Sequence, residues 1–247
     1  MHTEPLTING LTLNVRPETT DKTAAIEVIK AHVYDRGSVT IEPSDVWLDA
    51  GSYIGSFSLL AASKGASVVA VEPHPDNIAM LKQNVSGRNV EVIEAAVAVA
   101  GGEAALFVCN GDKNKYRHTL ATIRGRESIR VRVMPIQPLL DRVNAVKLDI
   151  EGSEIEVLEV CDFSAVRKLV FEYHFDRCRS IPRFLAICER LRGIGFTVEA
   201  RQMPDRETYD FYPAATIVRC SQNATPSSPK SRKSSCARWH GRTLART

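Results

Sequence analysis

Asp45-Val46-Trp47-Leu48-Asp49-Ala50-Gly51-Ser52-Tyr53-Ile54-Gly55 decides the fold. An apolar run ends in an acid, a small-residue turn follows, and a helical pattern begins after Gly55. About twenty residues on, Ser67-Val68-Val69-Ala70-Val71 forms a second apolar run that ends in Glu72. Strand, glycine turn, helix and acid-tipped strand together make a nucleotide-binding βαβ unit. Gly51 and Gly55 allow a tight turn and close approach of the backbone to a ligand. The free N–H groups of the following helix can hold carboxylate or phosphate oxygens. Glu72 stands where a carboxylate can accept both hydroxyls of a ribose.

Working outward, strands are expected at 45–49, 67–71, 89–94, 104–108, 129–133, 145–149, 167–173, 195–200 and 214–219. Helices are expected at 55–64, 75–85, 153–160 and 180–192. Alternation of strand and helix predicts an α/β fold with a mostly parallel sheet. Residues 1–42 form an N-terminal extension. It begins with a hairpin over Leu6–Val15, turning at Asn9-Gly10, and continues as a helix over Thr23–Tyr34. Residues 43–220 form the main domain. Residues 221–247, rich in Ser, Pro, Lys and Arg, are expected to be a disordered basic tail. The polar stretch 109–127 is long enough to be a lid or substrate loop.

The 247 residues carry 44% hydrophobic and 25% charged residues, ordinary globular values. No apolar run is long enough for a transmembrane helix, and the first residues lack a secretory pattern. The six cysteines are scattered without metal-ligand spacing, so reduced thiols in a cytoplasmic compartment are expected. The net charge of +3 is uneven: six basic residues and no acids follow Ser221, which leaves the body near −3. Nucleic acid is therefore a partner for the tail at most.

Two cofactor classes fit the βαβ unit, a dinucleotide and S-adenosylmethionine. Tyr53 occupies the middle of the turn, where a pyrophosphate needs a small residue, and the spacing Asp49-x-Gly51-x-x-x-Gly55 suits an amino-acid-bearing nucleoside better. Further on, Lys147-Leu148-Asp149-Ile150-Glu151-Gly152 ends a central strand, which places Asp149 and Glu151 in the crevice at the sheet's carboxyl edge. Such carboxylates can orient a hydroxyl and accept its proton. Glu151 and Glu154 equally suit a helix N-terminus, and Ser153-x-x-Glu156 has the spacing of a capping box. Val170-Phe171-Glu172-Tyr173-His174 reaches the same edge, where His174 is either a general base or a structural hydrogen-bonder. His118, in the polar loop, is a candidate acceptor contact. No spacing among these residues demands a metal ion.

Three blocks carry a family resemblance: Asp49-Ala50-Gly51-Ser52-Tyr53-Ile54-Gly55-Ser56-Phe57; Val71-Glu72-Pro73-His74-Pro75; and Val146-Lys147-Leu148-Asp149-Ile150-Glu151-Gly152-Ser153-Glu154. The sequence resembles the FkbM family of class I S-adenosylmethionine-dependent methyltransferases, whose pattern reads D-x-G-A-N-x-G, E-P-x-P and K-x-D-x-E-G-x-E. That the mostly parallel sheet is doubly wound and seven-stranded is what this family resemblance implies. The resemblance implies that Asp49, Gly51, Tyr53 and Gly55 line the methionine part of S-adenosylmethionine, that Glu72 holds the ribose with Pro73 beside the adenine, and that Glu94, Ala95 and Ala96 contact the adenine ring. Tyr53 stands where the family has Asn, which leaves one polar contact to the methionine part open. The activity implied is methylation of a hydroxyl on a sugar, glycan or small natural product. The alternatives are an RNA 2′-O-methyltransferase, a non-catalytic S-adenosylmethionine-binding protein and a nicotinamide dehydrogenase. Oligomeric state is not legible.

Overall fold

A computed structural model of the protein describes residues 2–108, 118–120, 122, 125–175, 180–200 and 215–222. Most of the loop expected at 109–127 and the basic tail beyond Gln222 lie outside the described residues.

The chain opens with the hairpin β1 (Glu4–Ile8) and β2 (Leu11–Val15), paired Leu6 to Leu13 and Ile8 to Leu11. Asn9 and Gly10 both take positive φ, 51° and 80°, as the favoured two-residue hairpin turn requires. A short helix α1 (Asp21–Ala25) follows and widens directly into a π-helical turn over Ile26–Lys30. The expected helix over 23–34 therefore starts earlier and stops at Lys30. Tyr34 lies beyond it, buried, and turns into the main domain.

The central sheet contains β3 (Val46–Ala50), β4 (Ser67–Glu72), β5 (Val90–Glu94), β9 (Ala145–Leu148), β10 (Lys168–His174), β11 (Thr197–Ala200) and β12 (Ala215–Ser221). Its order is β11-β12-β10-β9-β3-β4-β5. The pairs β5–β4, β4–β3, β3–β9 and β9–β10 are parallel, and β12 runs antiparallel to both β10 and β11. The sheet is therefore mostly parallel. The two strands expected at 104–108 and 129–133 do not join it. As β7 (Gly102–Phe107) and β8 (Ser128–Pro135) they pair with β6 (Ala96–Ala98) in a separate three-stranded sheet, ordered β6-β8-β7. Their burial alternates, with Val131 and Val133 buried and Arg130 and Arg132 not, as befits a sheet covered on one face only.

Apolar residues on both faces of the central strands give two cores. Leu48, Val69, Val71, Val146, Leu148 and Phe171 point to one face, against α5 (Glu154–Val160) and α6 (Ile181–Gly193). Trp47, Val68, Ala70, Ala145 and Val170 point to the other, against α2 (Ser56–Ser63), α3 (Pro75–Asn84) and the N-terminal segment. This near-continuous Val/Leu/Ala pattern is what a parallel strand buried on both sides needs. The short α4 (Gln137–Leu140) seals the first core with Leu139 and Leu140. Cys161, Cys188 and Cys220 are buried free thiols in that same core, and burial pushes the Cys188 thiol up to about 11. No helix among the described residues is long and apolar enough to cross a membrane.

Candidate active site

At the end of β3 the chain must turn beneath β9. Gly51 does so at φ +79°, its N–H donating to the Val71 carbonyl at 3.0 Å. A Cβ at this position would lie 1.8 Å from the Asp149 carbonyl oxygen. Only glycine can take that conformation at that separation. Gly51→Ala should therefore cost at least ~2 kcal/mol of stability and lower Tm by several degrees, or roughly 5 °C. Thermal denaturation followed by circular dichroism checks this, and an unchanged Tm would contradict it.

Beyond the turn lies a cavity of about 850 Å³ along the carboxyl edge of the sheet. Gly51, Tyr53, Glu72, Pro73, Ala95 and Ala96 line one part of it, and Asp149, Glu151, Glu172 and His174 another. The sequence-derived residues thus converge, with three exceptions. Asp49 is wholly buried behind the wall, where its carboxylate accepts from Ser58 Oγ at 2.6 Å and pairs with Lys147 Nζ at 3.1 Å. Gly55 allows helix packing, since a Cβ there would come within 2.7 Å of Leu81 Cδ1. Glu94 is exposed and pairs with Lys82 on the outside of the sheet. Glu94 borders no part of this cavity, whereas Ala95 and Ala96 beyond it line it.

Glu72 is 5% exposed and already accepts three hydrogen bonds: Tyr53 N–H at 3.0 Å, His74 N–H at 3.0 Å and Asn77 Nδ2 at 3.2 Å. A carboxylate has about four lone-pair sites, so capacity remains on the cavity side. Burial pushes its pKa up to about 7 against the pull of these donors and of the Lys147 charge. Asn77 in turn accepts from Arg16, whose guanidinium forks onto Asp21 at 2.8 and 2.9 Å. The N-terminal hairpin is thereby tied to the acid at the tip of β4.

Tyr53 does not act as an Asn would. Its φ of 52° sends the side chain towards the N-terminal segment, where the hydroxyl donates to Asp21 and the ring lies 5.5 Å from the Arg16 guanidinium. Only its backbone N–H serves Glu72. Ser56 Oγ, at the start of α2, is 5% exposed, borders the cavity and has no hydrogen-bond partner among the described residues. A glycine turn against which a ligand can pack, an orphaned hydroxyl at a helix N-terminus and a buried acid with spare acceptor capacity fit an amino-acid-bearing nucleoside.

In the other part of the cavity, Tyr34 and Glu172 join the residues expected from the sequence. The Tyr34 hydroxyl lies between two carboxylates, 2.9 Å from Glu172 and 3.1 Å from Asp149. Lys147 is buried beneath them, donating to the Gly51 carbonyl at 2.7 Å, with its Nζ 3.9 Å from Asp149 and 5.3 Å from the Tyr34 ring centroid. Burial works to discharge this lysine, but Asp49 and Asp149 outweigh burial and hold its pKa above the ordinary value. Glu172 goes the other way: burial and the neighbouring Asp149 charge push it up to about 7.

His174 is buried, with Nδ1 2.7 Å from Glu154 Oε1. Glu154 is itself wholly buried and accepts the Gly152 N–H at 2.7 Å through its other oxygen. The expected capping box does not form, since Ser153 makes no side-chain cap. Burial would lower the His174 pKa, but the Glu154 contact and the charges of Asp149 and Glu151 carry it up to about 10. The surrounding carboxylates thus favour the protonated form of His174. Glu151 takes φ 54° and its carbonyl accepts from Thr119 Oγ1 at 2.6 Å. His118 lines the cavity by stacking on His74, centroids 4.2 Å apart, which puts it beside the Glu72 end rather than among the carboxylates.

The chain is 28% identical to 31-O-demethyl-FK506 methyltransferase FkbM of Streptomyces tacrolimicus over 218 residues, covering 72% of this chain and 82% of that one. It is 31% identical to the hexuronic acid methyltransferase AglP of Haloferax volcanii over 127 residues, 48% of this chain and 50% of that one. It is 28% identical to the AMB antimetabolite synthetase AmbE of Pseudomonas aeruginosa over 236 residues, 75% of this chain but 11% of AmbE. The chain thus spans only a small part of AmbE and half of AglP. Among solved structures, a SAM-dependent methyltransferase from Agrobacterium tumefaciens aligns at 16% identity with TM-score 0.46, covering 90% of this chain and 70% of that one. The model of the methyltransferase FkbM domain matches residues 49–198, well over half of the chain. The chain belongs to the FkbM family of S-adenosylmethionine-dependent methyltransferases.

Proposed function

We propose that this protein methylates a hydroxyl oxygen of a neutral sugar or polyol-bearing small molecule. The observation that carries the reading is the Tyr34 hydroxyl bridging Asp149 and Glu172 inside the cavity that Glu72 borders. S-adenosylmethionine supplies an electrophilic methyl group when bound. Glu72 would hold its ribose hydroxyls, and the Gly51 turn and Ser56 would hold its amino-acid part.

The chain's own residues do the rest. Asp149, partly exposed to the cavity, orients an acceptor hydroxyl and is placed to take its proton as the oxygen attacks. Tyr34 keeps Asp149 and Glu172 in one geometry, its hydroxyl lying within hydrogen-bond distance of both. Lys147 stabilises the charge on Asp149 from below. His174, aimed by Glu154, lends a positive charge beside the carboxylates and so limits their repulsion.

Among the lining residues described, Lys147 is the sole Lys or Arg, and Glu27, Glu72, Asp149, Glu151 and Glu172 are acids. Such a lining repels a phosphodiester backbone and equally a carboxylate next to the reacting oxygen. That supports a neutral hydroxylated acceptor. FkbM is named for 31-O-demethyl-FK506, which is compatible with a neutral hydroxylated acceptor, whereas AglP is named for a hexuronic acid, which carries the carboxylate that this lining disfavours. The test is a panel of neutral saccharides, uronates, polyols and short RNAs incubated with donor and read by mass spectrometry. Gain of one methyl group by a neutral saccharide or polyol supports the reading, and methylation confined to RNA would overturn it.

Donor binding should also depend on pH. Glu72 titrates near 7 in the free protein, and only its ionised form offers both oxygens as acceptors. Affinity should be level above about pH 7.5 and fall by up to about tenfold per unit below 7. Calorimetry across pH 5.5–8.5 checks this; Glu72→Gln should flatten the limb below pH 7. A wild-type affinity independent of pH would contradict the role.

A further inference from the structure

Spacing along the chain asks for no ion, yet the fold collects a ligand set at the carboxyl ends of β9 and β10. Asp149, Glu172 and His174 each present one ligand atom, and the three atoms lie within 4.8 Å of one another. His174 is 3% exposed, so its ring has almost no access to bulk water. Its Nδ1 is consumed by Glu154 at 2.7 Å. Its Nε2 faces three carboxylates and hydrogen-bonds to none of them: Glu151 and Glu172 are 3.7 Å away and Asp149 is 3.9 Å away. These separations are too long for a hydrogen bond. They are close to those between ligands that share one metal at bonds of about 2.1 Å.

The surroundings carry the same message. A carboxylate on the far nitrogen of an imidazole is the arrangement that aims a metal-ligating histidine, and Glu154 supplies it from a wholly buried position. Among the described residues, Asp149, Glu154 and Glu172 lie together at this end of the site, with Lys147 and His174 as the described cations beside them. A cation at Nε2 would take the place of the proton there and relieve the excess negative charge.

We propose that Asp149, Glu172 and His174 form a binding site for one divalent cation of the Mn²⁺ or Zn²⁺ class, ligated by one imidazole and two carboxylates with its open positions towards the cavity. Mixed imidazole and carboxylate ligands suit borderline first-row ions better than Ca²⁺. The use made of the cation, holding an acceptor hydroxyl, rests on the methyl-transfer reading above. The binding itself does not.

The test is an electron paramagnetic resonance titration of Mn²⁺ with the full chain, without nucleoside. One bound ion per chain is expected. Glu172→Gln and Asp149→Asn should each weaken binding roughly tenfold or more, since even outer-shell partners of metals are worth that much. Glu94→Gln, on the outer face of the sheet, should leave it unchanged. Both site variants keep the shape of the side chain, and circular dichroism verifies their folding. No binding at millimolar Mn²⁺, or unchanged affinity in both folded site variants, would overturn the site. Calorimetry with S-adenosylmethionine in EDTA separates the two readings. Donor binding without Mn²⁺ binding sinks the cation alone, and Mn²⁺ binding without donor binding sinks the donor assignment alone.

Discussion

Glu72→Ala is expected to weaken S-adenosylmethionine binding about 100-fold while leaving the fold in place. The carboxylate is the only acid at the tip of β4 that borders the cavity, and it would accept two ribose hydroxyls. Each hydrogen bond to a charged group contributes about 1.5–3 kcal/mol, and 2.7 kcal/mol is a factor of about 100. Two of its three present donors, Tyr53 N–H and Asn77 Nδ2, belong to residues that line the cavity, from which water can replace the lost oxygens. Loss of the charge also removes a buried carboxylate that folding pushes up to about 7. Stability should therefore change much less than affinity. Calorimetry and thermal melting on the same variant separate the two, and a dissociation constant within threefold of wild type would remove Glu72 from the donor site.

Asp149→Asn should lower kcat by about 10²- to 10³-fold, the range for loss of a positioned general base, with donor affinity changed only a few-fold. Asparagine keeps the shape of the side chain and an acceptor for the Tyr34 hydroxyl. It loses the charge that faces Lys147 at 3.9 Å and His174 at 3.9 Å, and with it the ability to accept a proton. The effect should fall on turnover, because Glu72 and the Gly51 turn are untouched. Single-turnover kinetics with the first acceptor from the mass-spectrometric panel measures it. Wild-type turnover in this variant would exclude Asp149 from proton transfer.

The parts of the site that could be read from the sequence are those set by local chain order. Strand, Gly51 turn, helix and Glu72 fall within one βαβ unit, so their meeting follows from the right-handed crossover of a parallel sheet. Asp149 was legible because it ends a central strand. Tyr34 was not: it lies 115 residues from Asp149 and 138 from Glu172, and nothing in its neighbourhood announces a role. Glu172 is not legible as a site residue, because the pairing of β10 beside β9 is what brings it to Asp149. Glu94, at the end of the edge strand β5, pairs with Lys82 outside the cavity, which its place in the sequence does not reveal. Glu154 resembled a helix-terminal acid, and only its burial against His174 shows it to be a positioning residue. The direction of the Tyr53 side chain is not legible in the sequence: at φ 52° the ring leaves the turn and docks on the Arg16–Asp21 pair.

The same limits shaped the fold. Strand positions in the central sheet were legible from their apolar runs. The departure of β7 and β8 into a second sheet was not, because an alternating strand carries no label for the sheet it joins. The π-helical turn over Ile26–Lys30 was equally hidden, since apolar spacing does not distinguish it from an α-helix.

A crystal structure of the protein with S-adenosylhomocysteine tests the central claim most directly. The account predicts both ribose hydroxyls on the Glu72 carboxylate, the amino-acid part against Gly51 and Ser56, and the sulfur turned towards Asp149 and Glu172. A nucleoside lodged elsewhere, or one whose sulfur points away from those carboxylates, would contradict it.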